Sequence, residues 1–137
     1  MNLNFFKSGG AILNYHRICP DNDFLNLNDE LVVSASRFKE QLSFLKKNYN
    51  LVSLDNLLKF EKDKKFKISI TFDDGYKDNL TYALPILSEL NIPATIYVIT
   101  KFLQDEFDMW WYELQEYIWK SSENIKFTYN KKIIIFP

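Results

Sequence analysis

The stretch Lys67-Ile68-Ser69-Ile70-Thr71-Phe72 runs straight into Asp73-Asp74-Gly75-Tyr76. Ile68, Ile70 and Phe72 alternate with Ser69 and Thr71, the two-residue period of a β-strand. Such a strand delivers two neighbouring carboxylates to its C-terminal end. On its own, Asp-Asp-Gly reads as a turn and a helix cap, because Asp and Gly form turns and Asp caps helices. The surroundings decide whether the pair is more than that.

Gly9-Gly10 breaks the chain before Ala11-Ile12-Leu13-Asn14-Tyr15, a short apolar strand with His16-Arg17 at its end. Cys19-Pro20-Asp21-Asn22-Asp23 reads as a loop. Residues 34–48 place Phe38, Leu42 and Leu45 on one helical face, with Lys39, Glu40, Lys46 and Lys47 off it. Ser34 or Ser36 caps that helix. Leu51-Val52-Ser53 is a brief strand, and Ser53 or Asp55 opens a second helix through Leu57, Leu58 and Phe60. Glu61-Lys62-Asp63-Lys64-Lys65 mixes both signs and reads as a solvated turn. Leu80, Ala83, Leu84, Leu87 and Leu90 then recur at helical spacing. Pro85 divides that pattern into a short turn and a helix from about Leu84. Asn91-Ile92-Pro93 ends it, and Ala94-Thr95-Ile96-Tyr97-Val98-Ile99 is expected as a buried strand.

Strands alternating with helices indicate an α/β fold built of parallel βα units. Ligands of such folds gather at the C-terminal ends of the strands. His16, Asp73, Asp74 and Thr100 all belong to that end. Past Thr100 the character changes. Met109-Trp110-Trp111 leads into a helix through Tyr117, Ile118 and Trp119, whose tryptophans read as packing residues rather than a sugar platform. Ile125-Lys126-Phe127-Thr128-Tyr129 and Lys132-Ile133-Ile134-Ile135-Phe136 form a hairpin about Asn130-Lys131.

Composition narrows the function classes. A chain of 137 residues suits one domain, and its 47% apolar and 17% aromatic content suits a packed core. A formal net charge of -1 sets up no field that favours nucleic acid or an anionic membrane. Cys19 is the single cysteine, which excludes an intrachain disulfide or a Cys-rich zinc module. No apolar run reaches the length of a membrane span. The first ten residues lack a cationic leader before a long apolar stretch, so the expectation is a cytoplasmic protein. His16 is the only histidine.

Three stretches together resemble the polysaccharide deacetylase family, the NodB-homology domains of carbohydrate esterase family 4. They are Ile12-Leu13-Asn14-Tyr15-His16-Arg17-Ile18, Ile70-Thr71-Phe72-Asp73-Asp74-Gly75-Tyr76, and Ala83-Leu84-Pro85-Ile86-Leu87 followed by Ile92-Pro93-Ala94-Thr95-Ile96-Tyr97-Val98. The pattern covers residues 11–100, and the Met109-Trp110-Trp111 region looks like a segment inserted in some members. The resemblance implies the N-terminal part of a distorted, incomplete (β/α) barrel. In it, a βα core at 1–100 is followed by an inserted helix and β-hairpin at 101–137. It implies a hydrolase that removes N-acetyl or O-acetyl groups from a glycan or acetylated sugar, with a divalent metal of the Zn, Co or Ni class. Asp73 matches the family's catalytic base and Asp74 its metal ligand; His16, Gly75 and Tyr76 would line the site. In that chemistry a carboxylate takes the proton of the attacking water.

The chain departs from the pattern in one respect. The family draws its other two ligands from a downstream His-x-x-x-His motif, and no histidine follows Asp74. The later Arg-containing motif and the histidine that protonates the leaving amine are missing too. The expectation is therefore the N-terminal part of a longer enzyme, nearly inert alone. Its metal site would be weak or absent, and its open strand edge would be covered by the missing half of the barrel or by self-association. Two alternatives stand beside it. One is a non-catalytic member that binds a glycan or partner. The other is a phosphotransfer receiver-like domain, in which an acidic pair holds Mg²⁺.

Overall fold

The computed structural model describes residues 9–24, 31–57, 59, 66–104, 110, 111, 114, 125–129 and 131–136. The chain divides into two compact units, Met1–Ile99 and Thr100–Pro137. In chain order the first holds β1 (Gly10–Tyr15), β2 (Arg17–Cys19), one-turn helix α1 (Asp21–Phe24), β3 (Val32–Ser34) and helix α2 (Ala35–Asn48). There follow β4 (Asn50–Leu51), one-turn α3 (Leu54–Leu57), β5 (Lys67–Phe72), a π turn (Asn79–Ala83) that runs into α4 (Leu84–Glu89), and β6 (Ala94–Ile96).

Strand β5 is the centre of a parallel sheet. Along one edge β1 pairs with its whole length, from Gly10 opposite Lys67 to Tyr15 opposite Phe72. Its other edge is shared: β4 meets Lys67 and Ile68, and β6 meets Ile70 to Phe72. Beside this sheet β2 and β3 form a short parallel pair.

All six β5 residues are buried, so the alternation seen in sequence separates two covered faces rather than inside from outside. Ile68, Ile70 and Phe72 enter the core with Ile18, Phe38, Leu42, Ala83, Leu87 and Ile92. The rings of Tyr15, Phe38 and Phe72 meet pairwise, with centroids 5.0, 5.7 and 5.8 Å apart. Each such pair adds about 0.5–1.5 kcal/mol beyond area burial, so this cluster clamps α2 to the sheet.

Helix α2 starts as its sequence specifies. The Ser34 hydroxyl accepts from the Arg37 N–H, and Asp21 Oδ1 accepts from the Ser36 N–H at 3.0 Å. Two of the helix's orphan donors are thus satisfied, one of them from a separate element. The Ser36 backbone bond, helped by hydrogen bonds from the Ser36 and Ser34 hydroxyls, holds the Asp21 carboxyl below its ordinary range.

Four expectations change. The loop at Cys19–Asp23 is instead the end of β2 and helix α1, because β2 pairs with β3 across a sequence gap that local patterns do not reveal. The brief strand expected at Leu51-Val52-Ser53 is shifted to Asn50–Leu51, although the Val52 N–H still reaches Ile68 O. Leu80 and Leu84, expected on the buried helical face, are exposed. The π turn accounts for Leu80: the Leu84 N–H reaches back to Asn79 O, five residues, which puts Leu80 out of phase with Ala83 and Leu87. Finally, β6 is short and its ends are exposed, since it pairs with β5 alone among the described residues. Pro85 does sit at the start of α4, and Asn91 ends it. Asn91 takes a left-handed φ of 49°, while the Ile92 N–H reaches Leu87 O and the Asn91 N–H reaches Ser88 O, a Schellman cap.

The second unit contains a 3₁₀ turn (Thr100–Gln104) and an antiparallel hairpin of β7 (Ile125–Tyr129) and β8 (Lys132–Phe136). Tyr129 pairs with Lys132, so the turn is the one expected, with Lys131 left-handed. The Trp110 and Trp111 rings meet edge to face at 6.0 Å, and Trp110 is exposed. The helix expected through Tyr117, Ile118 and Trp119, the mixed-charge turn at 61–65, and Leu58 and Phe60 lie outside the described residues. No helix among the described residues is long and apolar enough to cross a membrane.

Two outcomes follow. Phe38→Ala removes the ring shared by Tyr15 and Phe72 and should cost about 3–5 kcal/mol in urea unfolding. Asp21 has a lowered folded pKa, so its contribution is present above the unfolded value near ~3.9 and is lost as pH falls through the lower folded value. The stability gap between the parent and Asp21→Ala should be full at neutral pH and close in acid below that value.

Candidate active site

Strand β5 ends at Phe72, and Asp73 is the next residue. Its backbone is held on both sides: the Asp73 N–H donates to Tyr15 O at 3.0 Å, and its carbonyl accepts from the Gly75 N–H at 2.9 Å. Its side chain is held as well. Asn14 Nδ2 donates to Asp73 Oδ2 at 2.7 Å, and Thr71 Oγ1 donates to Asn14 Oδ1 at 2.8 Å. His16 Nε2 lies 3.8 Å from the same Oδ2, an electrostatic contact rather than a hydrogen bond.

The turn then makes two left-handed steps, with φ of 69° at Asp74 and 71° at Gly75. Asp is among the few side chains that tolerate this region. The Asp74 carboxylate is half-buried and makes no hydrogen bond with the described residues. Gly75 is required twice over, since a Cβ there would also stand 3.1 Å from Val98 Cγ1 and 3.3 Å from Val98 Cα.

Beyond the turn, Asp78 pins the loop to β2. Arg17 Nε donates to Asp78 Oδ2 at 2.8 Å, and the Ile18 N–H reaches Asp78 Oδ1 at 3.4 Å. The Arg17 guanidinium also lies over the Tyr76 ring, 5.3 Å from its centroid. The pair is largely shielded from solvent and is fastened at both ends. A groove of about 700 Å³ runs beside the Asp73 mouth, with Asn14, His16, Leu31, Gln41 and Phe44 among its lining residues.

The structure thus brings His16 to Asp73, with Asp74 and Gly75 in the adjoining turn and Tyr76 turned to Arg17. Thr100 belongs to the second unit. Sequence reasoning missed Asn14, Arg17 and Asp78. Asn14 had a signal, being the one polar residue in an apolar strand, where Asn is disfavoured. The Arg17–Asp78 pair joins residues 61 apart and had none.

The donor set decides whether a metal fits. Catalytic zinc-type sites use three protein ligands and an open position. Among the described residues no three His, Cys, Asp or Glu side chains are grouped to hold an ion. The described residues therefore do not make up a complete metal site.

Gly75→Ala should lower stability by about 1–2 kcal/mol, the cost of a left-handed L-residue, and by more where Val98 cannot yield. Adding Val98→Ala should relieve the contacts with Val98 Cγ1 and Cγ2, and leave the backbone cost together with the 3.3 Å approach to Val98 Cα, as read in paired denaturation curves.

Residues 60–126 match the sequence model of the polysaccharide deacetylase family. Poly-beta-1,6-N-acetyl-D-glucosamine N-deacetylase of Staphylococcus epidermidis is 32% identical over 111 residues, covering 72% of this chain and 38% of that protein. Its namesake in Staphylococcus aureus strain MSSA476 is 31% identical over 117 residues, covering 76% and 40%. The chain spans about two fifths of the length of these curated relatives. Among solved structures, the Streptococcus pyogenes deacetylase PplD in complex with acetate matches with a TM-score of 0.57 at 29% identity, covering 69% of this chain and 44% of that one. Kinship in sequence and in structure agrees with the parallel sheet on a partial α/β barrel, and the chain belongs to the polysaccharide deacetylase family.

Proposed function

We propose that the chain carries the water-activating acid of a metal-dependent N-deacetylase that acts on a polymer of N-acetylglucosamine. The observation that carries this reading is Asp73, held by Asn14 at the C-terminal mouth of β5 with Oδ1 outside that bond. A carboxylate so placed takes the proton of a water as it attacks the acetyl carbonyl, a contribution of roughly 10²–10⁴ in rate. The staphylococcal relatives are N-deacetylases, which supports N-acetyl over O-acetyl, and the acetate in the PplD structure is the product such a reaction releases.

Asp74 is the ligand this chain would contribute to a metal of the Zn, Co or Ni class. The described residues group no further ligands beside it, so the chain alone is expected to bind such ions weakly and to be nearly inert. The relatives lend no support to a Mg²⁺ phosphotransfer receiver. A non-catalytic, glycan-binding role is the outcome left if the tests below fail.

Calorimetry with Zn²⁺ or Co²⁺ should show no nanomolar site in the chain alone; a nanomolar site would refute shared ligation. For the acid itself, residues 10–99 can replace the corresponding segment of the Staphylococcus epidermidis enzyme. Acetate release by that chimera should fall roughly 10²–10⁴-fold with Asp73→Asn. A chimera indifferent to Asp73→Asn would end the reading of Asp73 as the base.

A further inference from the structure

We propose that Asn14 is a positioning residue that anchors Asp73 through Oδ2 and reserves Oδ1 for the proton transfer, with Thr71 fixing the direction in which the Asn14 carboxamide faces. The inference rests on the reading of Asp73 as the base and adds to it a division of labour between the two carboxylate oxygens.

The placement starts with register. Asn14 pairs with Thr71 across the parallel β1–β5 ladder, so the two side chains leave the sheet on one face. Asp73, two residues beyond Thr71, continues that side of the chain. Asn is depleted in strands, and position 14 is exposed, so core packing does not account for an amide there. A β-branched residue would suit the strand better. What the amide gains is the pair of hydrogen bonds to Asp73 and Thr71.

Those bonds have only one consistent polarity. An ionised carboxylate accepts and never donates, so the NH₂ end of Asn14 must face Asp73 Oδ2. Oδ1 of Asn14 then points to Thr71, whose hydroxyl donates to it. Thr71 is buried, which keeps competing water from that hydroxyl. The backbone of Asp73 is already fixed by Tyr15 O and the Gly75 N–H, leaving only its two side-chain torsions soft. The Asn14 bond restrains both torsions. His16 Nε2 also stands nearest Oδ2, so the neighbours on this side converge on one oxygen and leave Oδ1 outside their bonds.

The test is NMR on the full 137-residue chain, reading the three-bond couplings from Asp73 Cγ to its own N and carbonyl carbon. These report whether the first side-chain torsion holds one rotamer. In the parent chain they should show a single rotamer. In Asn14→Asp, which keeps the shape but loses the donor, and in Asn14→Leu, they should collapse towards the rotamer average. Thr71→Val should loosen Asp73 part of the way, and Thr71→Ser should restore the parent couplings. Thermal midpoints measured alongside separate this from unfolding, because Asn14 lies outside the core. Should Asn14→Leu disrupt the fold, the Thr71 pair still decides the matter. A parent chain with an averaged Asp73 torsion overturns the proposal, and so does an Asp73 that stays locked in folded Asn14 variants. The couplings read geometry alone. A mobile Asp73 therefore defeats this inference without touching the base assignment, while an active Asp73→Asn chimera defeats the assignment without moving the couplings.

Discussion

A strand hydrogen-bonded along both edges and buried on both faces has almost no freedom to shift, and β5 is such a strand. Its register is set by β1 over the full length and by β4 and β6 in turn along the opposite side. A slip of one residue would carry Ile68, Ile70 and Phe72 away from α2 and bring Ser69 and Thr71 into the core. The same constraint positions the chemistry. Asp73 follows the last residue of that strand, so it inherits the strand's precision, and sites carried on rigid elements are held more closely than sites on loops.

From that fixed point the turn leaves in an unusual direction. The left-handed step at Asp74 carries a cost that the surroundings must offset, while Gly75 takes its own freely. The offset is visible on both sides. Val98 closes over Gly75, and Arg17 reaches across from β2 to hold Asp78. The acidic pair is therefore divided by its backbone. Asp73 is bound to the sheet through Asn14 and Tyr15, whereas Asp74 sits at the bend with its carboxylate making no hydrogen bond among the described residues.

Much of this was legible in the residues. The period of Ile68, Ile70 and Phe72, the Ser34 cap, the split at Pro85 and the stop at Asn91 are local signals, and each was met in the fold. Asp73 and His16 were likewise placed at one mouth by reading strand ends. What was hidden depends on partners far along the chain or on helix phase. The pairing of β2 with β3, the ion pair of Arg17 with Asp78, and the role of Asn14 all need the tertiary arrangement. The π turn was hidden because Leu80 and Leu84 satisfy a helical repeat on paper. One additional residue in the turn shifts the helical phase, and both are exposed.

The exposed margins of the sheet have a practical meaning. Among the described residues β1 pairs only with β5, and Ile12 on it is exposed. At the opposite margin Ile96, Tyr97 and Val98 are exposed as well. Unpaired strand edges recruit other edges, and a formal net charge of -1 supplies little repulsion to keep copies apart. These two margins, unpaired on their outer sides among the described residues, are where copies would first join, and dilution or a small charged fusion is the natural remedy during purification.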